Sequence, residues 1–365
     1  MRKTGALGIT IVLCAGCAVH HDTQIERLSQ FAPSAQDHVA LAADGEDRVL
    51  VTWDSRRQQG GFYGIQGRFL HADGTFASEE FTINTNVQGH QMHPAVCMNA
   101  DGEAWAAWTS WGQDGQEGGI VARWFDGFSW HDEVAVNVQR HGHQNEVVLS
   151  AGAGDTAMAV WTSPTEEGRR VHARLLHPDG ASGSEFDVST GSGHHASPSI
   201  ASIPGGWVIV WASRDDERFT VHAVEMTADG TVGEPRILAA DAIEPAIASN
   251  GQTVLATWLA RDPHGWQVQA QRLGIDDAPQ TIAVPTPGRW ISGAAAAVDP
   301  EGRCGVAWNI DKPVHEVHAR IAEPGGWFEE SILLGEGAHL ERARGTARLH
   351  MSGNGTLLAA GGGSA

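Results

Sequence analysis

The chain has 365 residues and a formal net charge of -20, with 44 acidic residues against 24 basic ones. Such a charge repels nucleic-acid phosphates and no basic stripe offsets it, so neither DNA nor RNA is an expected partner. The charges are scattered rather than blocked, which argues against a disordered tail, and the length suffices for a sizeable core.

At the N-terminus Met1-Arg2-Lys3 precedes an apolar run from Ala6 to Ala15. A basic head before a short apolar segment reads as an export signal, too short to span a bilayer as a mature helix. The run ends in Leu13-Cys14-Ala15-Gly16-Cys17. Ala15, Gly16 and Cys17 resemble a bacterial lipobox, with Cys14 where that family usually carries an aliphatic residue. The resemblance implies a lipoprotein signal peptide over 1–16 and several acyl chains (palmitate among them) on Cys17. A protein so acylated is held stably at a membrane. Ala18 is not Asp, which implies that inner-membrane retention does not apply. The expected location is the cell envelope, at the outer membrane or cell surface or facing the periplasm. An ordinary signal peptide, cut near Ala15 or Ala18 and leaving Cys17 unmodified, is the alternative.

The rest of the chain is a tandem repeat. Trp53, Trp108, Trp161, Trp211, Trp258 and Trp308 each close an apolar run, at intervals of 47 to 55 residues. A third strand follows each of them, seen in Val121-Ala122-Arg123, Val171-His172-Ala173-Arg174 and Val317-His318-Ala319-Arg320. Asp73-Gly74, Asp126-Gly127, Asp179-Gly180 and Asp229-Gly230 then supply turn signals. Four short antiparallel strands per period, with no convincing helix, predict an all-β propeller rather than a solenoid or a sandwich. Six complete units occupy 38–342. The pieces 17–37 and 343–365 carry strand-like segments, Thr23–Leu28, Ala347–Met351 and Gly355–Ala360. Together they suggest a seventh, closing blade built from both termini, with six blades as the alternative. A closed ring leaves no sheet edge unpaired.

One structural role should cover all six tryptophans, namely packing between neighbouring blades. His172, His222 and His318 share their position with Gln66 and Gln269, which asks for a hydrogen-bonding side chain rather than a metal ligand. Cys97 and Cys304 are read as small buried residues on separate strands.

The candidate site lies in the loops that enter each unit. Three of them read Gly89-His90-Gln91-Met92-His93-Pro94, His141-Gly142-His143-Gln144-Asn145-Glu146 and Gly193-His194-His195-Ala196-Ser197-Pro198. Later loops carry Glu244-Pro245 and Arg289-Trp290-Ile291-Ser292. Repetition places His93, Glu146, Ser197, Glu244 and Ser292 as a partial ring around the channel mouth. His90, His93, His143, Glu146, His194 and Glu244 are the candidate ligand-binding residues. Three readings stand: a repeat-encoded turn that ties one blade to the next, a site for a polar ligand or partner, or a metal site built from imidazole and carboxylate.

Runs such as Val51-Thr52-Trp53-Asp54-Ser55 and Glu80-Phe81-Thr82-Ile83-Asn84-Thr85 resemble tandem repeats of bacterial secreted and surface proteins. That likeness implies a fold and a location more than an activity. Sialidase-like propellers are a more distant resemblance. Their Ser-x-Asp-x-Gly-x-Thr-Trp turn is absent, and the only tyrosine, Tyr63, stands in a Gly-rich stretch with no matched acid. There is no Gly-x-Ser-x-Gly elbow, His-Glu-x-x-His or phosphate-binding loop. The expectation is therefore a non-catalytic binding or scaffold propeller, anchored by lipid, without a cofactor, recognising a protein or glycan through its loop face. A divergent carbohydrate-active hydrolase or lyase is the alternative, with Glu146 and Glu244 as its acids.

Overall fold

The computed structural model describes residues 36–336 apart from 60–61, 114–116, 140, 181–182, 285–288, 312–315 and 329–330, together with residue 29 and short strands at both termini. Cys17 and its proposed acylation lie outside the described residues. The described residues contain no helix, and the fold is an all-β propeller.

Unit one consists of strands Gln36–Ala43, Val49–Gln59, Phe62–Leu70 and Phe81–Thr82. Unit two consists of Gln91–Met98, Ala104–Ser110, Gly119–Phe125 and Val134–Ala135. Unit three follows with Asn145–Ala151, Ala157–Thr165, Gly168–Leu176 and Glu185–Asp187. Unit four has Gly193–Ile203, Gly206–Asp215, Arg218–Thr227 and Arg236–Ala240. Unit five has Ala242–Ser249, Val254–Asp262, Gly265–Arg272 and Gln280–Ala283. Unit six ends the series with Ile291–Val298, Cys304–Ile310, Glu316–Ala322 and Ile332–Glu336. Within each unit the strands pair antiparallel in chain order, and the first strands pack on one another from unit to unit.

The core lies between the sheets. One cluster joins Ala95, Cys97 and Trp105 of unit two to Val147, Leu149 and Trp161 of unit three. Another joins Val160 and Val171 of unit three to Ile209 and Trp211 of unit four. A second strand is therefore covered on both faces and reads as an unbroken apolar run, every residue of Ala104–Ser110 being buried. All six repeat tryptophans are 0 to 3 % exposed. At about 25 cal/mol per Å² and 150–250 Å² of ring, each contributes at most about 4–6 kcal/mol of burial.

The second strands do not stop at tryptophan as the sequence suggested. They run on to tight turns, pairing Thr165 with Gly168, Asp215 with Arg218 and Asp262 with Gly265. Asp216 sits in the second of these turns with a φ of 51° and exposed neighbours, so Asp215-Asp216-Glu217 is a solvated hairpin. The Gly-rich stretch that carries Tyr63 is the start of the third strand of unit one. Cys97 and Cys304 are free and buried, and burial pushes their thiols up to about 12 and about 11.

At the ends, Arg348–Met351 pairs antiparallel with Leu357–Gly363. Ile9–Ala15, within the segment read as an export signal, runs parallel to Leu357–Gly363, and Ala18–His21 and Gln24–Glu26 extend that sheet.

Candidate functional site

Antiparallel pairing brings the start of each first strand, the end of the second and the start of the third to one end of the sheet, called here the loop face. At that end every first strand breaks register. The breaks fall between Asp37 and Ala40, Met92 and Ala95, Asn145 and Val148, Ala196 and Ser199, Ile243 and Ala246, and Ser292 and Ala294. The residues inside these bulges are left-handed: His38, His93, Glu146, Ser197 and Glu244 have φ of 46°, 56°, 55°, 52° and 50°, and Gly293 has 61°. A non-glycine residue there costs on the order of 1–3 kcal/mol and persists only where its surroundings impose it. Five such residues at one matched position form a built feature, because a bulge re-aims the side chain of its strand.

His93, Glu146, Ser197 and Glu244 thus form one set at a matched bulge position in successive units, with His38 as a further member. Ser292 is not a member. It keeps its pairing with Asn309, and Gly293 takes the bulge because glycine adopts positive φ without strain.

Joints between units hold three of the bulges, those of units two, four and six. Ser197 donates its amide to Glu146 Oε2 at 3.1 Å, and Gly293 donates its amide to Glu244 Oε2 at 3.2 Å. Glu146 Oε2 also accepts from Thr162 Oγ1 at 3.2 Å. In unit one an acid of the second strand does the same work: His93 donates its amide to Asp54 Oδ2 at 2.9 Å. That oxygen lies 2.8 Å from His38 Nδ1 as well. Between units four and five the bond lies past the bulge, Ile247 donating its amide to Ser199 Oγ at 3.2 Å.

Asp54 was not singled out in the sequence. Its carboxylate is wholly buried, and Oδ1 has no hydrogen-bond partner among the described residues. Its signal was positional: it follows Trp53 where the other units carry Thr109, Thr162, Ala212, Leu259 and Asn309. The His38 and His93 rings meet edge to face at 4.0 Å. Burial, and then the charge of His38, push the His93 imidazole down to about 4. Burial also raises Glu244 above the ordinary carboxylate value, and Asp311 adds to the rise.

His90, His143 and His194 form a second set, at the joints rather than the bulges. Gly118 bridges parallel to His143, and Gly168 and Arg169 pair parallel with Gly193 and His194, so the third strand of one unit zips onto the loop entering the next. Tyr63 donates its amide to His90 Nδ1 at 3.3 Å in the corresponding place. The glycine before each histidine is needed: a Cβ on Gly89, at φ 71°, would stand 2.1 Å from the Trp111 carbonyl oxygen. In units two and four the residue after the histidine serves the buried tryptophan. Trp108 Nε1 donates to Gln91 Oε1 at 2.9 Å, and Trp211 Nε1 donates to His195 Nδ1 at 3.1 Å.

His172, His222 and His318 of the third strand lie stacked on Trp161, Trp211 and Trp308. Arg123 and Arg174 of the same strand donate to the carbonyls of Ile83 and Val136 in the preceding unit. No group of three His, Cys, Asp or Glu among the described residues is arranged to hold a metal ion. A cavity of about 460 Å³, lined by Arg236, Ile237, Gln271, Ile275 and Asp276, lies at the opposite end of the strands from the bulges.

Strand order, sheet packing and the bulged first strands define a β-propeller of tandem four-stranded units. No protein-family model matches the chain, and no curated protein resembles it in sequence. Solved structures do share the fold. A protein of unknown function from Dyadobacter fermentans superposes with a TM-score of 0.53 at 12% identity, over 83% of this chain and 95% of that one. An α-L-arabinofuranosidase from Fusarium graminearum gives 0.52 at 13%, over 79% and 93%. A sialidase from Streptococcus pneumoniae gives 0.51 at 8%, over 79% and 68%. The chain is thus distantly similar in structure to arabinofuranosidase and sialidase propellers.

Proposed function

We propose that the protein is an envelope-anchored, non-catalytic propeller that binds a glycan or a protein through its loop face. One observation carries this reading. Glu146 and Glu244, the repeat-matched acids of that face, each hold the bulge amide of the following unit through Oε2. They serve the scaffold, whereas a glycosidase needs one acid and one base turned towards a bond. His90 and His143 are half-buried and His194 is exposed beside them, available to a bound partner. The test is incubation with neutral and sialylated oligosaccharides, followed by calorimetry and by mass spectrometry of products. Binding with no new reducing ends is expected. Steady release of reducing ends that stops in Asp54→Asn would overturn the non-catalytic reading.

The second reading, a divergent carbohydrate-active hydrolase, is favoured by Asp54, a buried carboxylate held by the His38 imidazole and the His93 amide with one oxygen unpartnered. The likeness to arabinofuranosidase and sialidase propellers points the same way.

Attachment through acyl chains on Cys17 is supported by Ala15-Gly16-Cys17 after a basic, apolar leader. Cys17→Ser is expected to lose labelled palmitate and leave the membrane fraction, and retained label would overturn the anchor. A ring of seven blades, six being the alternative, is supported by Arg348–Met351, which packs against both Ile291–Val298 and Gln36–Ala43. Cleavage before Cys17 would leave Ala18–His21 and Gln24–Glu26 as the N-terminal contribution to the closing sheet.

A further inference from the structure

A row of aromatic and imidazole rings crosses the loop face over three units. Phe62 and Tyr63, opening the third strand of unit one, meet His90 with ring centres 5.2 and 5.6 Å away. Trp111, just past the second strand of unit two, donates its amide to the His90 carbonyl at 2.9 Å. Its ring packs on His143 of the next joint, centres 4.4 Å apart. Arg169 of unit three closes the row by donating to the His143 carbonyl at 3.2 Å.

Phe62 and Trp111 are 41% and 39% exposed, whereas the six repeat tryptophans are almost wholly buried. The core therefore does not require these two rings. They stand in contact with the joint histidines, each partly open to solvent, and successive units place them in sequence rather than singly.

We propose that this row is a subsite for an uncharged oligosaccharide laid along units one to three. Sugar rings present apolar C–H faces edged by hydroxyl groups. Aromatic faces cover the former, and they do so at low conformational cost because each has only two side-chain torsions. A neutral imidazole offers one donor and one acceptor, which matches a hydroxyl. Burial and the charge of Arg169 hold His143 below the ordinary histidine value, which keeps it neutral at pH 7. Carboxylate-bearing sugars are disfavoured by the protein's net charge of -20. The inference rests on the loop-face reading and selects the glycan from its two partner classes.

The test titrates the full-length protein with linear tetraoses of arabinose, xylose and glucose, and with sialyllactose as the anionic probe. At least one neutral tetraose is expected to bind and sialyllactose is not. Trp111→Ala is expected to weaken binding at least about tenfold and Phe62→Ala several-fold, with unchanged melting temperatures. Should Trp111→Ala melt early, Phe62→Ala and Trp111→Phe, the latter about threefold weaker, carry the comparison. Failure of every neutral probe to bind, or a preference for sialyllactose, overturns the proposal. Binding that survives Phe62→Ala and Trp111→Ala but is lost in His93→Ala overturns the row and leaves the loop-face reading standing. Binding that survives all three overturns both.

Discussion

Glu244 separates a brace that needs charge from one that needs only an oxygen. Its Oε2 accepts the Gly293 amide at 3.2 Å across the joint between units five and six. Glu244→Ala removes the acceptor and leaves that buried amide unpaired, which costs about 1–3 kcal/mol. With an unfolding entropy of about 2.1 cal/mol/K per residue, a loss of about 2 kcal/mol lowers the melting temperature by about 3 °C. Glu244→Gln keeps a carbonyl oxygen for the amide and removes the buried charge.

Burial raises the carboxyl of Glu244 above its ordinary value of 4.5, so the folded state binds its proton more tightly than the unfolded chain does. Stability contributed by the neutral form is then lost as pH rises from 4.5 through the folded value. Glu244→Gln is therefore expected to match or exceed the parent at pH 7, and the gap should close by about pH 4. Thermal and guanidinium unfolding between pH 4 and 8 measure this. A Glu244→Gln protein as unstable at pH 7 as Glu244→Ala, or a gap indifferent to pH, would refute the reasoning.

Three other outcomes are expected. Ser197→Gly should gain about 0.5–1 kcal/mol by relieving the left-handed backbone at φ 52°, and Gly293→Ala should lose a similar amount at φ 61°; unfolding curves that move the other way count against the imposed bulge. The His93 imidazole, held down to about 4, contributes stability that is complete above 6.5 and lost as pH falls towards 4, so His93→Gln should flatten that slope, and a His93 resonance titrating near 6.5 by NMR would contradict it. Gln91→Leu leaves the buried Trp108 indole N–H without its acceptor and should cost about 1–3 kcal/mol, read by denaturant unfolding.

The propeller was legible because its signals are repeated and local: the tryptophan period, the Asp-Gly turns and the third-strand pattern each recur, and Gly74, Gly127, Gly180 and Gly230 take the positive φ those turns require. The equivalence of His93, Glu146, Ser197 and Glu244 was legible for the same reason, and all four take the left-handed bulge conformation. Pro94, Pro198 and Pro245 mark three of these strands as bulged, since proline inside a central strand is confined to bulges. Units one, three and six lack that proline, and in unit six Gly293 rather than Ser292 takes the bulge. Asp54 escaped because periodicity draws attention to what recurs, and this acid occurs in unit one alone. The roles of Arg123 and Arg174 escaped because their partners are backbone carbonyls of another unit, which no residue type announces.

The carboxylate joints have a direction. Each donor amide belongs to the later unit and each acceptor to the earlier one, as in Glu146 to Ser197 and Glu244 to Gly293. A gene duplication that copies a whole unit therefore brings both halves of a working seam, and a lost acid weakens only the seam downstream of it. Under mechanical load such a series of units should part where no carboxylate bridges the seam. Those places are the seams between units two and three and between units four and five, where none of the three acids Asp54, Glu146 and Glu244 bridges the joint.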